Sequence, residues 1–295
     1  MRVVARWLDA IREHCAAVAA DARYVRIRPG ATPPLDGRAG LDPVVHLLDA
    51  PAEERTRYVL AMDAINFGSG WFDTLAPDAA GEDPTTAMSR RLTAHARARG
   101  GPWTAAELRA LDAATVAAVL GQDAGHPLMA LYARALRELG GWLGDRPALA
   151  VVAAAEGSAA ALAEALATGL PMFADPGFYK RAQITANDLE LAGVARFADI
   201  DELTVFADNL LPHVLRLDGV LELDAALAAR IDAGQELPAG SREECELRAC
   251  TVVACDALAA RHGIAPRVLD NRLWNRGLGP PYRDRPAHRT RTIAY

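Results

Sequence analysis

Lys180 and Asp208 carry the strongest chemical suggestion in this chain. Lys180, in Lys180-Arg181-Ala182-Gln183, is the only lysine, and arginine supplies every other fixed side-chain cation. An ammonium is a compact, movable point charge that can meet an anion where a planar guanidinium does not fit. The plain alternative is one exposed lysine left by drift. Asp208 closes Leu203-Thr204-Val205-Phe206-Ala207-Asp208. With Asp199 or Asp201 as N-cap, this segment predicts a helix carrying Leu203, Phe206 and Leu210 on one face. Pro212 cannot donate to the carbonyl of residue 208, so that helix kinks or restarts there. At about 100° per residue, Asp208 falls beside Thr204 and Leu211, away from the polar edge of Glu202, Asn209, His213 and Arg216. A carboxylate on an apolar face is costly unless it is paired or does chemistry. An ion pair with Arg181 and a working acid are the two readings.

Other residues could join them. Asn66-Phe67-Gly68-Ser69-Gly70-Trp71-Phe72 is a glycine-punctuated turn bearing three aromatics. Its backbone can approach a ligand closely, and Trp71 or Phe67 can stack on a base, unless the rings simply pack in the core. The spacing is neither GxGxxG nor GxxxxGKS, which excludes the usual dinucleotide and P-loop fingerprints. The tail, residues 273–295, reads as loop-like and basic, with Arg276, Arg283, Arg285, His288, Arg289 and Arg291 against Asp284. Arginine clusters suit phosphate, although a solvated tail is the commoner cause of such a run. Ile293 and Tyr295 predict that this tail docks. Cys245, Cys250 and Cys255 fan around a helix rather than sharing a face, and Cys15 stands alone. Free buried thiols are expected, with no metal.

Composition bounds the setting. The chain has 295 residues, 51% hydrophobic and 24% charged, which suits one large globular domain over 1–295 or two packed helical lobes, 1–170 and 171–295. Its apolar runs are too short for a membrane span, and residues 148–167 are interrupted by Glu156, Ser158 and Glu164. No signal-like apolar core precedes Asp9, so a cytoplasmic protein is expected. The net charge of -6 argues against broad attraction to nucleic acid.

The elements that must position these residues are mostly helical. Helical spacing covers residues 2–22, with Val3, Val4, Trp7, Leu8, Ile11, Cys15 and Val18 on the apolar side. A short strand is predicted over residues 24–28, ended by Pro29-Gly30, then a loop over 31–40. His46 follows, and a helix starts near Ala52. Helix-forming sequence fills 87–166, broken at Gly100-Gly101-Pro102, Gly125-His126-Pro127, Gly140-Gly141 and Asp145-Arg146-Pro147. Ser241-Arg242-Glu243-Glu244 is a capping box opening a helix to about His262, which Gly263 stops. The expected fold class is mainly α, with at most a short β ribbon.

Read in order, five segments resemble the queuosine salvage family, the queuosine 5′-phosphate N-glycosylase/hydrolases. They are Ala61-Met62-Asp63-Ala64-Ile65 with the turn that follows to Phe72, Phe178-Tyr179-Lys180-Arg181-Ala182-Gln183, the Leu203 to Asp208 segment, Gly240-Ser241 with Glu246-Leu247-Arg248-Ala249, and Leu273-Trp274 with His288-Arg289-Thr290-Arg291-Thr292. The resemblance runs from about residue 40 to the C-terminus. It implies a fold similar to helical DNA glycosylases and hydrolysis of the N-glycosidic bond of queuosine 5′-phosphate, releasing queuine for reuse in transfer RNA. It implies no metal or organic cofactor, a small-molecule substrate, no stable nucleic-acid complex and no membrane. By motif, Asp208 resembles the catalytic aspartate and Phe206 an aromatic that contacts the base. His46 and Asp270 resemble base-site positions, with Asn66 and Trp71 as further candidates. Lys180, Arg181, Arg289 and Arg291 are candidates for the phosphate.

The implied chemistry has a physical logic. A 7-deazapurine has carbon at its seventh position, so protonation there cannot make the base a better leaving group, and catalysis leans on the sugar. A preplaced carboxylate can stabilise the oxocarbenium-like charge or attack it. The base carries a cationic amino-linked cyclopentenediol, which further carboxylates such as Asp270 could recognise. Two alternatives are a glycosylase for another 7-deazapurine nucleoside and a non-catalytic binder of a modified nucleoside or transfer RNA.

Overall fold

Alanine and leucine make most of this chain helical, and caps, glycines and prolines cut it into segments. The computed structural model describes residues 5–78 and 81–295. The helices are α1 (Ala5–Ala20), α2 (Ala52–Ala64), α3 (Pro84–Arg99), α4 (Ala105–Ala110), α5 (Ala113–Leu120), α6 (Pro127–Leu143) and α7 (Ala148–Ala153). They continue with α8 (Ala159–Gly169), α9 (Lys180–Leu191), α10 (Leu210–Leu217), α11 (Ala225–Asp232), α12 (Arg242–His262) and α13 (Pro266–Gly277). The predicted strand is β1 (Val25–Ile27). It pairs antiparallel with β2 (Leu221–Leu223), Val25 opposite Leu223. The architecture is mainly α. Val3 and Val4 lie outside the described residues.

Local chemistry explains the cuts. Asp83 accepts from the Thr86 N–H, Asp112 from the Thr115 N–H, and Thr104 and Glu107 form a reciprocal capping box. Gly100, Gly121 and Gly263 close helices in the left-handed region. Ser241 accepts from the Glu244 N–H at 3.4 Å and caps α12 as predicted, but the reciprocal half of the box does not form: Glu244 Oε2 accepts from the Gly240 N–H at 3.1 Å, and the Ser241 N–H donates to the Pro238 carbonyl. Gly140-Gly141 does not break the chain as expected, because both glycines sit inside α6. A Cβ at Gly140 would lie 2.8 Å from the Leu108 Cβ, so the glycine serves close packing of α4 on α6.

The expected helix through Leu203, Phe206 and Leu210 is absent. A 3₁₀ turn covers Ile200–Glu202, residues 203–208 are not helical, and α10 starts at Leu210. Distant partners hold this run in place of helical bonds. Thr204 N–H donates to Gln183 Oε1 at 3.0 Å, Phe206 N–H to Asp270 Oδ1 at 2.7 Å, and Arg248 Nε to the Ala207 carbonyl at 2.9 Å. Pro212 therefore sits in the first turn of α10, where a missing N–H is harmless, and it kinks nothing.

One continuous core draws on residues from Leu8 to Tyr282. Beneath the site, Asp175 ties three segments together. Its Oδ2 accepts from the Lys180 N–H at 2.9 Å, starting α9, and its two oxygens take Arg248 at 2.8 and 2.7 Å. Arg248 lies between the Phe178 and Tyr295 rings at 4.0 and 4.7 Å. The tail docks: α13 runs to Gly277, and Tyr295 is buried, its main-chain oxygen accepting from the Gly68 N–H at 2.9 Å. Three of the cysteines are buried, Cys245 is half-buried, and all four are free thiols. Among the described residues no helix is long and apolar enough to cross a membrane.

Candidate active site

The spacing of α9 builds one wall. Lys180, Ile184 and Asp188 are four apart, so they share a face, and all three line a cavity of about 280 Å³. Met62, Ile65 and Asn66 at the end of α2 line it too, as do Asp270 and Trp274 of α13 and Phe206, with His46 at the rim. A second hollow of about 210 Å³ adjoins it, lined by Phe67, Phe72, His213, Tyr282, Arg283 and Arg285 among others. Asn66, Lys180, Asp208 and Trp274 line both, so the two form one cleft with Asp208 at the junction.

Asp208 is held by one oxygen. Its Oδ1 accepts the Leu210 and Leu211 N–H groups at 2.8 and 3.1 Å, satisfying donors that a helix start leaves orphaned. Its Oδ2 has no hydrogen-bond partner among the described residues, and the residue is 7% exposed. No ion pair with Arg181 forms. Arg181 Nη1 and Nη2 instead donate to the carbonyls of Ala64 at 2.7 Å and Ile293 at 2.8 Å, under the rings of Phe67 and Phe173.

Lys180 is buried, and its Nζ donates to Asn66 Oδ1 at 3.0 Å and to the Asn66 carbonyl at 3.3 Å. Burial pulls its pKa down, opposed by the charges of Asp208 and then Asp63. Burial pushes Asp270 well above the usual carboxylate range; the Phe206 N–H works against that, and the Asp208 charge adds to it. His46 takes the Asp42 N–H on Nδ1 at 3.1 Å, and burial lowers its pKa.

The structure gathers Lys180, Asn66, His46, Phe206, Asp208 and Asp270 around the cleft. It does not bring Trp71, Arg181, Arg289 or Arg291 to its lining. Arg289 pairs with Asp73, and Arg291 lies 3.5 Å from Glu236. The glycine turn is shaped by close contact: Gly68 is left-handed at φ +98°, and a side chain at Gly70 would collide with the Thr290 carbonyl. Sequence reasoning missed Asp188 and Asp63. Two four-residue steps from Lys180, through Ile184, could have found Asp188. Among the described residues no cluster of His, Cys, Asp and Glu has the arrangement to hold a metal ion.

The chain matches the queuosine salvage protein family over residues 45–295. It belongs to that family. It is 36% identical over 266 residues to a queuosine 5′-phosphate N-glycosylase/hydrolase of Sphaerobacter thermophilus, covering 82% of each chain. A protein of the same name from Dictyostelium discoideum is 37% identical over 134 residues, 40% of each chain. One from Nematostella vectensis is 30% identical over 205 residues, 57% of this chain and 59% of that one. The family match takes in Asp208 and the whole α9 wall, while the rim residues Gly40 to Asp42 lie before it.

Proposed function

We propose that this chain is an N-glycosylase that hydrolyses queuosine 5′-phosphate, releasing queuine for salvage into transfer RNA. The observation that carries the reading is Asp208: one oxygen pinned to the first turn of α10, the other unpartnered where two hollows meet. In this reading the base enters the first, inner hollow beside α9, Phe206 and Asp270, the ribose lies over Asp208, and the 5′-phosphate occupies the second, outer hollow beside Arg283 and Arg285.

The reaction breaks the C1′–N9 bond, and its electron pair leaves with the base. Positive charge grows on the ribose, and Asp208 Oδ2 stabilises it or bonds to C1′. Water then adds to C1′, giving ribose 5-phosphate, and the net proton released goes to the base. Pinning by two N–H groups orients the carboxylate before the charge develops, so little reorganisation is needed at the moment of reaction. Asp270 holds Phe206 N–H with one oxygen and has its other free, which suits the adjacent N–H donors on a guanine-type edge. The buried Phe206 gives the base an aromatic neighbour, and His46 and Asn66 supply polar groups at the wall.

For the phosphate, Arg285 and Arg283 are the cations of the outer hollow, with Lys180 at the junction. Arg181 is unsuited, because its two terminal nitrogens already serve carbonyls in the core. A nucleotide does not cross membranes unaided, so the reading also assigns the enzyme to the cytoplasm.

The test is incubation of purified protein with queuosine 5′-phosphate and, separately, with queuosine, followed by chromatography for free queuine. Release from the phosphate is the expected result. Intact nucleotide from folded protein would sink the reading, and equal release from queuosine would move it to a nucleoside substrate.

A further inference from the structure

Asp188 and Asp63 have no part in the chemistry above. Asp188 is two turns beyond Lys180 on α9, about 12 Å further along the inner wall at 1.5 Å per residue. It is 6% exposed and lines the cavity. Its Oδ1 accepts from Asn187 Nδ2 at 3.0 Å, while Oδ2 has no hydrogen bond or ion pair among the described residues. Asp63, deeper on α2, is fully buried. Its Oδ1 takes a long 3.4 Å bond from Asn66, and its Oδ2 has no partner.

The nearest ammonium does not bond to either acid, since Lys180 Nζ donates to Asn66. A buried carboxylate pair with unused acceptors does not help the fold, because desolvation is not offset by pairing. The far end of the inner cavity therefore lacks a cation that the chain itself does not bring.

We propose that Asp188, backed by Asp63, is the ion-pair partner of the secondary ammonium on the substrate's seven-position arm, and so a specificity residue for nucleotides that carry such an arm. The inference rests on the functional reading above and deepens it. With the sugar over Asp208 and the ring beside Phe206, an arm reaching past the ring runs along Ile184 toward Asp188.

Proton release on binding follows from the same geometry. The charged and titratable groups around the pair are Tyr58 on α2, Lys180 and Arg181 on α9, Asp270 on α13, Asp208, and His46 with Asp42 at the rim. Burial pushes Asp63 well above the usual carboxylate range, and the Asp188 charge pushes it further. Burial pushes Asp188 up to about 7, against the Asn187 amide and Lys180. The empty site thus holds protons that an incoming ammonium displaces: Asp188 ionises, and its proton goes to solvent. Fewer protons are bound in the complex than in the free protein, so binding tightens as pH rises through that value while the amine stays protonated.

The test compares queuosine 5′-phosphate with 7-deazaguanosine 5′-phosphate, which has the same sugar, phosphate and ring but no arm. The shared phosphate titrates identically and cancels in the ratio of the two KM values. For the wild-type enzyme, KM of the armed nucleotide relative to the armless one falls about tenfold from about pH 6 to about pH 8. Asp188→Asn lowers the kcat/KM preference for the armed nucleotide by about tenfold to a hundredfold and flattens that pH dependence. A flat wild-type ratio overturns the proposal, and so does a folded Asp188→Asn enzyme that keeps both the preference and its pH dependence. Should the variant fail to fold, the wild-type ratio alone decides. Cleavage of neither nucleotide removes the functional reading itself; equal cleavage of both at every pH leaves that reading intact and removes only this inference.

Discussion

The two halves of the cleft share Asp208 and Lys180 but are opposite in charge and depth. The inner half is walled by the buried acids Asp188 and Asp270, with Asp63 behind them, whereas the outer half has Arg283 and Arg285, both exposed. A charge in a desolvated wall costs stability and reads one complementary group. A charge at an exposed rim costs little and acts through attraction that salt screens. A net charge of -6 conceals this division, because it averages over surfaces the ligand never meets.

The largest effect should come from the residue the halves share. We predict that Asp208→Asn lowers kcat at least about a thousandfold, or roughly 4 kcal/mol of transition-state stabilisation. The asparagine carbonyl can still accept from Leu210 and Leu211, so the urea midpoint should change little. A folded variant with near-wild-type kcat would mean that the reacting carbon does not lie at the junction.

The inner half should also betray itself as a stability cost. Asp63 has a folded-state pKa raised well above its unfolded value of 3.8, so the folded protein binds more protons above that pH. Stability tied to this group is fully present below the unfolded pKa and lost as pH rises toward the folded one. Asp63→Asn removes the loss. It should gain stability over wild type by an amount that grows as pH rises above the unfolded value of 3.8. Urea unfolding at several pH values checks this. A pH-independent difference would show that Asp63 is not held protonated by its burial.

These contrasts also mark what the letters could convey. Asp208 was visible as a misplaced acid, though by way of a helix that does not form. The run before it is shaped by Asp270, Gln183 and Arg248, partners remote in sequence that outweigh local propensity. Lys180 and Arg181 looked alike as cations. One helical step turns Lys180 to the cavity and Arg181 into the core, and only the path of the tail past Ile293 reveals why. The long helices α2 and α12 announced themselves through pattern and caps, while β2 had no signal apart from its pairing with β1. Among the tail arginines, facing the cleft depends on how the docked tail winds.

That winding supplies the smallest prediction and the sharpest check on the outer half. The Arg285 guanidinium lines the outer hollow and makes no hydrogen bond or ion pair among the described residues, whereas Arg289 and Arg291 are engaged with Asp73 and Glu236 away from the cleft. We predict that Arg285→Ala raises KM for queuosine 5′-phosphate about tenfold at low salt, with the defect shrinking as salt rises. Cleavage of unphosphorylated queuosine, however slow, should be nearly insensitive to the change, and Arg291→Ala should affect neither substrate. If Arg291→Ala weakens the nucleotide as much as Arg285→Ala, the tail acts as a diffuse positive field. If Arg285→Ala harms queuosine equally, the outer hollow does not receive the phosphate. The contrast between the halves would then reduce to depth alone, with charge playing no part in how the nucleotide is oriented.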